Sequence, residues 1–530
     1  DFIGARFGKS HGLAALVAVI AVIAVVPYIA LQFKAVAMSY GVLGGVRHGM
    51  VTAGGIDSAM WCAALLAVFA ILFGTRSIDA TEHHHGLMLA IALESLIKLV
   101  TFVALAVFAV RHGPGLAATM NMPSEHPGKG ISAGFAAQTL LAFFAMFCLP
   151  RQFQIGVVEC EDAQDLHRAR WMFPLYMLAI ILAVPPIVAA GAQLPAVRDG
   201  LPDAWVLNLP LALGSHGMAM LAFVGGFSAA TGMTIVAAVA LSTMISNDLV
   251  MPALLRMRRL RLEHRSDLSQ LVLRVRRIAI VGLVALAYGY YRKVADTENL
   301  AATGLLAFAA VVQLAPAIVA ALYWRGASRR GVVIGLLAGF AVWVWTLLLP
   351  AMLHVGSWRQ GGSLGLDWLR LHYGSGDPLL FGTLWSLLVN VGCLVFVSLR
   401  WRPTLEERLH AALFVAPHAA SRDGVCDWRG RVAAADLRTI ATRIVGQRGT
   451  ERAFAEYAQL RGKPLLPGEA ADRALIQHTE RLLAGAVGAA SARRILMGAL
   501  SGSGLDIAES MALMDEASQE LRFNRELLSS

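Results

Sequence analysis

The chain has 530 residues, 57% hydrophobic and only 15% charged, with a formal net charge of +10. A soluble domain carries about 25% charged residues, so an ordinary soluble globular chain is excluded. Nucleic-acid binding is also excluded: much of the positive charge lies in loops between apolar runs, and no nucleic-acid reading motif accompanies it.

A bilayer core about 30 Å thick needs ~20 apolar residues per helix. On that template about ten spans are predicted, at approximately 11–38, 57–75, 86–111, 131–150, 170–192, 211–246, 276–294, 300–324, 331–353 and 378–400. Gly/Pro-rich connections such as His112 to Gly130 and Gly356 to Pro378 separate them, and residues 364–373 read as a short interfacial helix. Asp1 to Ser10 lack the apolar core of a signal peptide. The chain has no initiator Met and ends inside a helical pattern, so it reads as a piece of a longer protein.

Lys and Arg placement sets the orientation. With a cytoplasmic start, the inner loops hold Arg6, Lys9, Arg76, Arg151, Arg168, Arg170, the cluster from Arg256 to Arg277, Arg325, Arg329 and Arg330. Ten spans then put the tail in the cytoplasm as well. From Thr404 the pattern changes to capped amphipathic helices, about 431–446, 450–461, 469–500 and 505–529. Residues 1–402 are therefore read as a transmembrane domain and 403–530 as a small helical bundle. Met511, Met514, Leu521 and Leu528 recur as if the last helix either packs locally or starts a dimeric coiled coil, which would make a homodimer.

Glu94 and Lys98 are the charged pair within a predicted span, and both fall near mid-membrane. They share one helix face at i,i+4. An isolated charge there costs ~2.5–3.5 kcal/mol, which pairing reduces. A structural ion pair and a coupling or substrate site are both open readings. Gln32, Gln152, Gln313, Arg151 and Asn390 also lie in or beside spans, with Pro27, Pro150 and Pro316 nearby, and Tyr28 follows Pro27 directly. Proline frees a backbone carbonyl, and a helix broken this way can coordinate a ligand. In CLPRQFQ, Pro150, Arg151 and Gln152 read as a loop anchor at a span's end or as part of a pathway. Gly225, Gly226, Ser228, Ala229, Ala230, Thr231 and Gly232 permit close helix contact. The hydroxyls of Ser228, Thr231 and Thr234 are candidate cation ligands, or bond their own helix. His83, His84 and His85 read as a solvated helix start, because three consecutive side chains on a regular helix cannot point at one ion. The five cysteines form no CxxC. No catalytic residue, metal site or cofactor site is expected, and no enzyme activity in this chain.

DFIGARFGKSHGLAALV with PYIALQFKAV, FGTRSIDATEHHHGLMLAIALESLIKL, LPRQF with ARWMFPLY, GGFSAATGM through STMISNDL, and AFAAVVQLAPAIVAALYW resemble the sodium/solute symporter family over about residues 1–400. The branch fused to sensor histidine kinases (the CbrA/CrbS type) is most similar. RAFAEYAQL, HTERLLAGAVGAASARRIL and DEASQELRFNRELL look like the STAC domain that links transporter and kinase there. The resemblance implies an all-α, LeuT-like inverted-repeat bundle with its first helices missing from this sequence. It implies a small-molecule solute, either an amino acid such as histidine or a short carboxylate such as acetate. It also implies a bacterial inner membrane location with a cytoplasmic C-terminal domain, kinase domains further along the same protein, and a response regulator. A receptor without translocation and a plain cation-coupled symporter with a structural tail are the alternatives. Family sodium symporters carry paired hydroxyls in the small-residue helix, where this chain has Gly232 and Met233. The coupling ion is therefore open between H+ and Na+, with the Lys98 ammonium as a substitute cation.

Overall fold

In the computed structural model the described residues are 2–44, 52–53, 56–74, 85–112, 133–160, 163–198, 200–256, 269–295, 300–353, 378–415, 433–463, 465–466, 469, 471–487, 492 and 496. His83 and His84, most of the Arg256–Arg265 cluster, the 364–373 segment and the Ser510–Leu528 helix lie outside them.

The described chain is helical apart from one two-residue antiparallel pairing, Thr52–Ala53 with Ile56–Asp57. After a short helix α1 (Phe2–Arg6), α2 (His11–Leu43) starts at Ser10, whose hydroxyl accepts from the Leu13 amide. Helices α3 (Ser58–Gly74), α4 (His85–His112) and α5 (Ala133–Cys148) follow. At Leu149 the chain bends by 50° into α6 (Pro150–Phe153), which continues as a π-helical turn to Val158. Then come α7 (Ala163–Gln193), α8 (His216–Met244) with a π-helical turn at Ile245–Val250, and α9 (Ser269–Tyr290). Helix α10 (Leu300–Val311) meets α11 (Ala315–Tyr323) through a 3-10 turn, Val312–Leu314. Helices α12 (Arg329–Trp343) and α13 (Pro378–Arg400) complete the apolar part.

Among the described residues, seven helices are long and apolar enough to cross a membrane, or eight if the bent pair Gly134–Cys148 and Pro150–Val158 is one span. Ten were expected. Ser58–Gly74 has only 17 residues, and α9 opens on Arg274, Arg276 and Arg277, which lower its mean hydropathy. Many large side chains face outward, including Leu89, Trp171, Ile181, Leu182, Phe396 and Leu399. Only a hydrocarbon solvent makes such a surface cheap, because there the burial that drives soluble folding is supplied by lipid. Packing comes instead from close backbone approach. Gly331, Gly335 and Gly339, one turn apart on α12, face Ser398, Leu394 and Asn390 on antiparallel α13. A Cβ at Gly335 would stand 2.8 Å from the Asn390 carbonyl oxygen.

Beyond Pro403, α14 (Leu405–Val415), α15 (Ala434–Val445), α16 (Gln447–Arg461) and α17 (Arg473–Val487) are amphipathic. Leu437, Ile444, Phe454, Leu475 and Leu483 form an apolar cluster that also takes in Met251 and Val272 from the ends of the membrane helices. Arg6, fully buried, donates to the carbonyls of Ala321 (3.1 Å), Trp324 (3.0 Å) and Glu407 (3.3 Å). It thereby satisfies carbonyls at the C-terminal end of α11.

Candidate functional site

Residues seven apart on a helix lie two turns apart on one face. Glu94 and Thr101 on α4 have that spacing, and so do Gly225 and Gly232 on α8. The helices run antiparallel, so Thr101 meets Gly225 and Glu94 meets Gly232. A Cβ at Gly225 would sit 2.5 Å from the Thr101 hydroxyl oxygen. A Cβ at Gly232 would fall inside the Glu94 carboxylate. The missing side chain at 232 is thus the space that the carboxylate fills. Glu94 is ion-paired with Lys98 one turn along α4, and both side chains are largely buried in the middle third of that helix.

Tyr28 enters the same region from α2, near the middle of that helix. Its hydroxyl accepts from Nη1 of Arg151 at 3.1 Å, and its ring stacks on Phe308 of α10 with centroids 6.2 Å apart. Gln32, one turn further on, donates to the Tyr28 carbonyl at 3.4 Å and is buried. From α7, the Tyr176 hydroxyl donates to the Ser95 carbonyl at 3.2 Å. Arg151 also lies close enough to Glu94 to act on its charge. Five membrane helices and one helix break therefore converge on a set of one carboxylate, one ammonium, one guanidinium and two phenols, with Glu94 and Tyr28 buried and Lys98, Arg151 and Tyr176 half-buried.

The sequence puts Arg151 among the inner-loop cations and leaves it open between a loop anchor and a pathway residue. In the structure the helix bends at Leu149 and continues to Val158, as a broken span or a re-entrant loop, and Arg151 reaches the Tyr28 hydroxyl near the middle of α2. Loss of apolar character after Leu149 hides that continuation. The better signal was a proline, a cation and two glutamines in succession, the composition of a broken helix.

The other candidates divide. Thr231 donates to the Phe227 carbonyl of its own helix at 2.8 Å. Thr234 is fully buried, and its hydroxyl has no hydrogen-bond partner among the described residues. Ser228 and Gln152 are half-buried, Ser228 on α8 and Gln152 beside Arg151. Gln313 belongs to a different cluster: at the 3-10 turn, its Nε2 donates to Ser386 Oγ (2.8 Å), and Asn390 Nδ2 donates to its Oε1 (3.1 Å) and to its main-chain oxygen (2.8 Å). An apolar groove of about 430 Å³, lined by Val36, Tyr40, Trp61, Leu65, Phe223 and Phe227, opens between α2, α3 and α8. Val36 and Phe227 stand one turn from Gln32 and Thr231, so the groove ends at the level of the polar set.

No family model matches the chain. It is similar to a Bacillus subtilis (strain 168) protein described as the uncharacterized symporter YodF, with 25% identity over 358 residues. The match covers 64% of this chain and 65% of that protein, so the chain spans slightly less than two thirds of its relative's length. With seven or eight helices among the described residues able to cross a bilayer, the chain is a transporter-like, multi-pass membrane protein.

Proposed function

We propose that this chain is the sensory transporter module of a histidine kinase, binding and moving a small solute at the Tyr28, Glu94, Lys98 and Arg151 set. One observation carries the reading: a charged set is buried where a bent span meets continuous helices, the arrangement that midplane solute sites of LeuT-like transporters use. The second break, at Val312–Leu314, fits the same architecture. By its resemblance the solute is an amino acid such as histidine or a short carboxylate such as acetate, and the membrane is the bacterial inner membrane.

Coupling follows from Gly232. A hydroxyl at that position and the Glu94 carboxylate exclude each other sterically, so this chain has exchanged a neutral cation ligand for an anion with its own ammonium. Lys98 then serves as the resident cation and protons, not sodium, drive the cycle. Uptake into proteoliposomes is expected to persist without sodium and to vanish in Lys98→Met. Strict sodium dependence with Lys98→Met fully active would sink this mechanism.

The relay to the tail has a physical basis. Helix α17 packs on the π-helical turn that ends α8, the helix carrying Gly232. Lys9 is ion-paired with Glu480 of α17, and Phe2 contacts both Phe153, next to the broken span, and Phe414 of α14 at centroid distances of 5.7 and 5.4 Å. A shift of α8 or α6 is therefore felt by residues 403–530, which pass it to kinase domains further along the protein and so to a response regulator. Solute-dependent autophosphorylation of the full-length protein, lost when Lys9 and Glu480 are both replaced by Ala, is the expected result. Unchanged solute dependence in that variant would remove this contact from the relay.

A further inference from the structure

The Arg151 guanidinium has a chemistry that the coupling scheme leaves unused. Its Nη1 is spent on Tyr28. Its Nε is buried and has no hydrogen-bond partner among the described residues. In a guanidinium, Nε and Nη2 form the edge that grips a carboxylate through two parallel hydrogen bonds, and Tyr28 occupies the nitrogen outside that edge. The local charge is also unbalanced: Glu94 and Lys98 neutralise each other, leaving Arg151 as a net positive charge. A buried donor without an acceptor is costly, and so is a half-buried cation whose carboxylate neighbour, Glu94, is already paired with Lys98. One ligand removes both costs.

We infer that the Nε–Nη2 edge of Arg151 is the receptor for a carboxylate group of the solute, so that the protein selects organic acids and amino acids over their uncharged counterparts. Tyr28 is then a positioning residue: it holds the guanidinium so that this edge faces inward. The inference rests on reading the set as the solute site.

The test uses the purified 530-residue chain in detergent, titrated calorimetrically at constant ionic strength with acetate, acetamide, L-histidine and L-histidinamide. At least one acid is expected to bind, with its amide about 100-fold weaker. Arg151→Gln should weaken the acid at least about 30-fold. Arg151→Lys keeps the charge without the fork and should lose about 10-fold, which decides the matter if the Gln variant does not fold. Tyr28→Phe should cost only a few-fold. Amides binding as well as acids, or acid affinity surviving both Arg151 substitutions, overturns the inference while the solute site stands. Binding of neither acid counts against both.

Discussion

At the Val312–Leu314 break, the Gln313 amide nitrogen donates to Ser386, its amide oxygen accepts from Asn390 Nδ2, and Asn390 Nδ2 also donates to the Gln313 main-chain carbonyl. At the Leu149 break, Arg151 hydrogen-bonds Tyr28 and leaves its Nε without a partner among the described residues. Both breaks bury polar groups inside the membrane bundle, yet the first spends the amide donors of Gln313 and Asn390 and leaves over an acceptor, Asn390 Oδ1, while the second leaves a guanidinium donor unspent. A cluster closed on its donors locks helices together, and one with a donor left over offers a ligand a bond. Substitutions in the two clusters should therefore separate stability from selectivity.

The largest effect is expected at the charged cluster. Lys98→Met strands the Glu94 carboxylate, at a cost of about 3–5 kcal/mol in unfolding measurements. Adding Glu94→Leu should restore most of that stability without restoring uptake. Next comes Gly232→Ala, whose methyl displaces the Glu94 carboxylate. Overpacking of this kind costs about 1–3 kcal/mol, and uptake should fall with it. Should Gly232→Ala transport normally, the seam is not part of the mechanism. In the closed cluster, Asn390→Leu removes two donated hydrogen bonds and should lower stability by about 1–3 kcal/mol while solute preference stays unchanged. A changed preference would erase the contrast between the clusters.

The smallest effect lies in the tail. Burial holds His478 below the ordinary histidine range, only partly offset by its contact with the Ala453 carbonyl. The unfolded tail therefore binds the proton first. The stability His478 contributes is present above about pH 6.5 and is lost as pH falls from there toward its lowered folded value. A mild loosening of the tail helices in that window, absent in His478→Gln, would be seen by hydrogen exchange.

Much of this was legible in the sequence. The apolar runs announced membrane helices, the i,i+4 order of Glu94 and Lys98 announced their pairing, and the small residues of α8 announced a close contact. What was not legible depends on long-range placement. That Gly232 faces Glu94 requires knowing that α4 and α8 are antiparallel neighbours. Arg151 was hidden for a different reason: window hydropathy treats a polar turn as the end of a span, although a helix can bend and continue. Gln313 was grouped with the site on composition, and only the structure shows that its bonds are spent on α13.

Arg6 has a consequence for the order of assembly. Its guanidinium reaches carbonyls 315 and 401 residues further along the chain. During synthesis this cation must wait in water or among lipid headgroups while the intervening helices are inserted. Only when Ala321, Trp324 and Glu407 have all arrived can it be buried with its donors satisfied. The clamp thus joins the start of the chain to carbonyls at the end of α11 and in α14, and it can close only after the helices between them are in place.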